Sequence, residues 1–184
     1  MERAVVFSGF GGQGLLFAGE ALARAALAAG LEVLWIPSYG PEMRGGTASC
    51  TVICADDPIG SPVVDRFDAA VALNPPSLSR FEDLVAVGGL LILNDSLIEA
   101  SPARTDVRVL QVGATAEARA AGSERLTSVV ALGALIGALG IVPAETARTA
   151  LREMVERKHP ETLAGNFQAF DAGLRAAERQ PITA

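Results

Sequence analysis

Six residues near the start of the chain, Gly9-Phe10-Gly11-Gly12-Gln13-Gly14, have the composition and spacing of a loop that holds a phosphate. They follow Arg3-Ala4-Val5-Val6-Phe7-Ser8, an apolar β-branched run, and precede an Ala/Leu-rich stretch without proline. A strand, a glycine turn and a helix in that order aim backbone N–H groups at an anion, and the helix dipole adds to the attraction. Gly9 and Gly11 are expected to take backbone angles closed to other residues and to let a ligand reach the main chain. Gly14 is expected to let helix and sheet pack closely. Gly12 and Gln13 complete this first half of a candidate anion site. The alternative is a tight turn that binds nothing.

A second constellation is Tyr39-Gly40-Pro41-Glu42-Met43-Arg44-Gly45-Gly46. In a doubly wound sheet, the loops after successive parallel strands meet at one carboxyl edge. Tyr39 and Arg44, with Gly45 and Gly46, are therefore expected beside the glycine turn. A guanidinium set among glycines can fork onto a phosphate or carboxylate. Pairing of Arg44 with Glu42 or with a partner subunit is the other option.

A dinucleotide would also require an acidic residue at the end of the second strand, to hold the ribose hydroxyls. Ile36-Pro37-Ser38-Tyr39 contains none; Glu32 comes at the start of that strand and Glu42 beyond Pro41. This weighs against a free-standing Rossmann-type NAD(P)- or flavin-binding domain. His159 is the only histidine and lies in a charged segment, so no Ser/His/Asp set can be built around it. Cys50 and Cys54 lie four apart on one predicted strand, hence on one face, as buried thiols. Asp56-Asp57 and Asn94-Asp95 read as turns. The chain thus offers no catalytic set and no metal site.

The elements that must position these loops follow from periodicity and breakers. Strands are predicted at Ala4–Ser8, Glu32–Pro37, Thr47–Ala55, Asp68–Asn74, Leu90–Leu93 and Val107–Val112, with a short extended piece at Ile59–Val64. Helices are predicted from Gln13 to Ala29, from Pro75 to about Leu84, and at Ala114–Ala121, Ser128–Leu139, Ala144–Arg157 and Pro160–Glu178. Gly30 is expected to stop the first helix at its C′ position, and Pro143 to take a first helical position. Alternation followed by helices gives an α/β fold: a doubly wound, mostly parallel sheet with helices on both faces and a helical C-terminal third. No helix separates Glu32–Pro37 from Thr47–Ala55, so a hairpin or antiparallel edge is expected there.

The chain has 184 residues, half of them apolar, with a net charge of −6 and only one lysine, Lys158. That length suits a single domain, 1–184, and the missing basic cluster argues against nucleic acid. Val129–Val142, the longest apolar run, is too short for a bilayer span, and Met1-Glu2-Arg3 leads straight into a strand. A cytoplasmic protein is the expectation. The apolar, charge-poor composition leans towards a subunit that buries part of its surface in a complex.

Read together, Gly9–Gly14 and Tyr39–Gly46 resemble the gamma subunits of 2-oxoacid:ferredoxin oxidoreductases. Ile59-Gly60-Ser61-Pro62-Val63-Val64, Asn74-Pro75-Pro76-Ser77-Leu78, Gly88–Asn94 and Asn166–Gly173 extend the likeness over nearly the whole chain. The resemblance implies one pyruvate/ketoisovalerate oxidoreductase gamma-type domain, inactive alone. It further implies alpha and beta partners, with or without a delta ferredoxin-like subunit. The assembled complex would carry thiamine diphosphate, magnesium and iron–sulfur clusters, none of them bound by this chain alone. It would convert a 2-oxoacid to acyl-CoA by oxidative decarboxylation and pass electrons to ferredoxin. The Tyr-Gly-Pro-Glu-Met-Arg-Gly-Gly segment is closer to 2-oxoglutarate and branched-chain members than to indolepyruvate ones. One departure is Leu126-Thr127-Ser128, where such members commonly carry Asn-Met ahead of the Leu-Gly helix.

Overall fold

A six-stranded sheet organises the chain, described over residues 1–38 and 47–179 by a computed structural model. In chain order the elements are β1 (Glu2–Phe10), α1 (Leu15–Ala28), β2 (Glu32–Ser38), β3 (Thr47–Ala55), β4 (Phe67–Ala72), α2 (Pro75–Phe81), β5 (Val85–Asn94), β6 (Arg108–Val112), α3 (Ala114–Ala120), α4 (Thr127–Leu139), α5 (Ala144–Glu156) and α6 (Leu163–Arg179). The strands lie in the order β2-β3-β1-β4-β5-β6. β1, β4, β5 and β6 are parallel, and β3 runs antiparallel to both β1 and β2. The expected hairpin is therefore present. The second strand is not β1's neighbour, however, because β3 inserts between them.

Strand alternation sorts side chains onto two faces. Phe7, Val52, Val71, Ile92 and Leu110 enter the larger core, beneath α1, α3, α4, α5 and α6. Val6, Ile53, Ala70 and Leu91 enter a smaller core with Leu78 and Phe81 of α2. Helices occupy both faces, as expected, but among the described residues α2 is the one α-helix on the smaller core's side. Because β1, β4 and β5 are covered on both sides, they read as continuous apolar runs.

Several boundaries shift for local reasons. β5 begins at Val85, so Gly88 and Gly89 lie inside it. Gly88 takes φ 73° and the register with β4 slips between Phe67 and Ala69, which is a bulge rather than a strand start. β4 ends at Ala72, and Asn74 instead caps α2 by accepting from Ser77 N at 2.9 Å. Residues 59–64 form no strand; Ile59 and Val64 pack against the smaller core. Pro143 is the N-cap of α5, one place before its expected position, and a 3-10 turn at Pro160–Thr162 precedes α6. Gly30 does end α1: its N–H donates to Leu27 O and that of Leu31 to Ala26 O, a Schellman closure with Gly30 at φ 84°.

Two contacts set the depth of the helical layer. A side chain on Gly19 of α1 would run into Cys50 Sγ, so α1 rides directly on β3. On α4 and α6, a side chain at Gly133 would strike Phe170 O and one at Gly173 would strike Val130 O, so the two helices meet backbone to backbone. Arg148 of α5 then pairs with Asp171 and lies 5.0 Å from the Phe167 ring centre, fastening α5 across α6. No described helix is long and apolar enough to cross a membrane.

Alanine is intrinsically better than glycine in a helix by about 1 kcal/mol. Gly173→Ala is nevertheless expected to destabilise the chain by about 1–3 kcal/mol through overpacking, read from a urea denaturation midpoint. Stabilisation would mean the two helices do not touch as described. Cys50 and Cys54 are free, and burial pushes both thiols up to about 11, with Trp35 acting the other way on Cys50. A raised folded-state value favours the folded protein fully below the unfolded thiol's pKa, and that advantage is lost as pH rises. Stability should therefore fall between about pH 9 and 11, by about 2–3 kcal/mol per thiol. A Cys50→Ala/Cys54→Ala variant should lack this slope in denaturation curves taken across that range.

Candidate functional site

The glycine turn sits at the carboxyl edge of the sheet, between the end of β1 and the start of α1. Gly9 belongs to β1 and pairs with Ala48. A side chain there would displace Gln13 Oε1 and come within 3.1 Å of Leu73 Cβ, so the glycine leaves room for Gln13 to fold back. The left-handed angles fall at Gly12 (φ 94°) and Gly14 (φ 80°), not at Gly9 or Gly11 as expected. Gln13 explains this placement. Its side-chain Oε1 accepts from Phe10 N at 2.7 Å, and its own N–H donates to Phe10 O at 3.2 Å. The glutamine thus braces the turn from inside, and the chain must bend at the glycines on either side of it. Gln13 lies outside the helix that was expected to begin there.

Gly14 is the N-cap of α1, and no side chain caps that helix or places an acid in its first turn. Among the described residues the first N–H groups of α1 have no side-chain acceptor, which is the electrostatic condition for holding an anion. The glycine's purpose differs from the expected helix–sheet contact. A Cβ on Gly14 would lie 2.6 Å from Ser128 Oγ and 3.3 Å from Arg125 O, so Gly14 makes room for the start of α4. Ser128 Oγ donates to Gly14 O at 3.0 Å and ties α4 to the turn. Ser128 belongs to the segment where the sequence departs from the gamma-subunit pattern, and here it holds the loop.

Neighbouring strand ends supply further polar groups. Asn94 is buried; its Nδ2 donates to Leu73 O at 3.1 Å and Thr115 Oγ1 at 2.9 Å, while its Oδ1 accepts from Thr115 N. It cross-links the end of β5 to Leu73, just beyond β4, and to α3, and is more than the turn residue expected. Ser8 Oγ stands 2.9 Å from Ser77 Oγ, joining β1 to α2. Beside Gly12 and Gln13 lies a small cavity of about 240 Å³ reaching Thr115, Arg125 and Thr127. Arg125 was not among the sequence candidates, since nothing in the spacing links residue 14 to residue 125.

Tyr39, Arg44, Gly45 and Gly46 lie outside the described residues. The ends of that segment are described: Ser38 closes β2 opposite Ser49, and Thr47 opens β3 opposite Phe10. Both ends are thus at the carboxyl edge, brought there by a hairpin rather than by two parallel crossovers. The same strand order removes the dinucleotide geometry. A ribose-binding acid belongs at the tip of a strand adjoining β1 in parallel; on one side β1 meets antiparallel β3, and on the other parallel β4 runs into Leu73-Asn74-Pro75, which holds no acid. His159 is exposed, 3.4 Å from Glu161. Among the described residues no three His, Cys, Asp or Glu side chains could share a metal ion.

The family model for pyruvate ferredoxin/flavodoxin oxidoreductase matches residues 4–176. The chain belongs to this family. A ketoisovalerate oxidoreductase subunit VorA from Methanothermobacter thermautotrophicus is 41% identical over 177 residues, 96% of this chain and 35% of the relative. The chain therefore spans about a third of the length of that relative. Among solved structures of the family, the gamma subunit of a keto/oxoacid ferredoxin oxidoreductase from Geobacter sulfurreducens superposes with a TM-score of 0.86 at 29% identity, covering 97% of both chains. A 2-oxoglutarate:ferredoxin oxidoreductase from Magnetococcus marinus, with 2-oxoglutarate, coenzyme A and succinyl-CoA bound, gives a TM-score of 0.90 at 26% identity, covering 99% of this chain and 32% of the other. In the family the same unit thus occurs both as a separate chain and as about a third of a longer one.

If Gln13 braces the turn through its carbonyl oxygen, Gln13→Glu should keep the Phe10 N–H acceptor and Gln13→Ala should lose it. The alanine variant is expected to be about 1 kcal/mol less stable than wild type in urea, and the glutamate variant close to wild type. Equal losses in both would assign the bracing elsewhere.

Proposed function

We propose that this chain is the gamma-type subunit of a thiamine-diphosphate-dependent 2-oxoacid:ferredoxin oxidoreductase, forming a single domain over 1–184. The observation that carries this reading is the end-to-end superposition on a separate gamma subunit, with 97% of both chains covered. In the complex, alpha and beta subunits, with or without a ferredoxin-like delta subunit, supply thiamine diphosphate, magnesium and iron–sulfur clusters. This chain's two cysteines, buried on β3, are too few to hold a cluster by themselves. The substrates favoured are 2-oxoglutarate or a branched-chain 2-oxoacid, supported by the names of the relatives that it matches. The complex works in the cytoplasm and passes its electrons to ferredoxin.

Within that complex the chain's task is to hold an anionic group at the carboxyl edge. The uncapped N-terminus of α1 and the bend at Gly12 and Gly14 present main-chain donors there. Gly9 and Gly11, with Gln13, shape the turn, and Arg44, with Tyr39, Gly45 and Gly46, is assigned to the same anion. A phosphate of coenzyme A is the anion that fits this reaction, and its charge suits both a helix N-terminus and a guanidinium fork.

The chain alone should show no 2-oxoacid oxidation, and activity should return on mixing with alpha and beta subunits. In the reconstituted complex, Arg44→Ala is expected to raise the coenzyme A requirement roughly tenfold or more, since a charged hydrogen bond contributes about 1.5–3 kcal/mol. Unchanged coenzyme A kinetics in a correctly assembled variant would remove this loop from the site.

A further inference from the structure

Behind the glycine turn, on the helical side, a second cleft of about 680 Å³ opens between Phe17 of α1, the α3–α4 connection and the α5–α6 connection. Its volume is that of a small-molecule pocket. The floor is hydrocarbon, from Phe17, Leu126, Val129 and Met154, while the rim carries Arg125, Lys158 and His159. The only lysine and the only histidine of a chain with net charge −6 therefore stand together at one opening. Glu161 is the one acid lining the cleft among the described residues, and it lies 3.4 Å from His159 Nδ1, which draws it towards the imidazole. Arg125 and Lys158 have no ion-pair or hydrogen-bond partner for their side chains among the described residues. The rim thus carries two positive charges that form no ion pair among the described residues, above an apolar floor, although Lys158 also borders a smaller crevice with Glu153.

We propose that this cleft binds an amphipathic monoanion, with its hydrocarbon body on Phe17, Leu126 and Met154 and its charged head at Arg125 and Lys158. A bare phosphate does not fit this chemistry, because exposed cations bind it weakly in salt and the apolar floor contributes nothing to it. A neutral hydrocarbon uses the floor and leaves the rim unanswered. A carboxylate on a short aliphatic chain uses both. The cleft adjoins the glycine turn, sharing Gly14 with it and Arg125 with the cavity beside Gly12 and Gln13, but its apolar floor and Lys158 lie outside the turn, and the proposal does not depend on the coenzyme A reading.

The test is calorimetric titration of the full chain with octanoate, octanol and inorganic phosphate. Octanoate should saturate a single site, with octanol and phosphate each roughly tenfold weaker or undetectable. Lys158→Glu should weaken octanoate several-fold, less so as salt is raised, and Met154→Gln should weaken it at all salt concentrations. Octanoate binding should persist at saturating coenzyme A, which keeps a failure here distinct from a failure at the turn. The proposal is overturned if octanoate does not saturate, if both variants bind it as wild type does, or if phosphate alone binds as tightly. Should the cleft instead bind no octanoate and become shielded from solvent on assembly, its occupant is a partner chain and the small-anion assignment is wrong.

Discussion

The carboxyl edge depends on one close approach. Gly133 and Gly173 allow α4 and α6 to touch through their backbones, which seats α4 deep in the helical layer. With α4 that deep, its first turn reaches Gly14, and Ser128 can donate to the Gly14 carbonyl. That bond joins the last third of the chain to the first loop. Small residues are the means throughout: alanine and glycine let α1 ride on β3 and α4 press on α6, so a chain poor in aromatic residues still packs to a dense core.

The glycine turn shows how far local sequence reaches. Its place was legible, because an apolar run, clustered glycines and a helical stretch can hardly be arranged otherwise. Its internal geometry was not. Which glycines turn left-handed depends on Gln13 folding back to Phe10, a side-chain contact that no propensity encodes. Gly14 was expected to serve helix–sheet packing and serves a helix from the far end of the chain instead. The same limit hid Arg125, which reaches the site only because α4 and α6 pack as they do.

The sheet was legible in a similar measure. The missing helix between β2 and β3 announced a hairpin, and the buried runs of β4 and β5 announced parallel central strands. Strand order was beyond reach, because β3 could have paired outside β2 as easily as between β2 and β1. Nor could the uneven distribution of helices be foreseen. β1, β4 and β5 are apolar on both sides, and such strands carry no record of which face takes five helices and which takes one. The argument from parallel strands placed Tyr39–Gly46 at the carboxyl edge; the structure describes only the strand ends that flank it, Ser38 and Thr47, which a hairpin brings to that edge by another route.

The outermost strands decide how such a unit can join a larger assembly. β2 carries Pro37 within its paired length, which is tolerated only at a sheet margin, and Glu32 at its start. A foreign strand laid against it would meet a missing donor at one end and a charge at the other. The opposite margin, β6, is only five residues long and begins with Arg108. Both margins thus discourage continuation of the sheet into another molecule. Contact with any other molecule therefore falls more readily to the helices and loops of this unit than to the margins of its sheet.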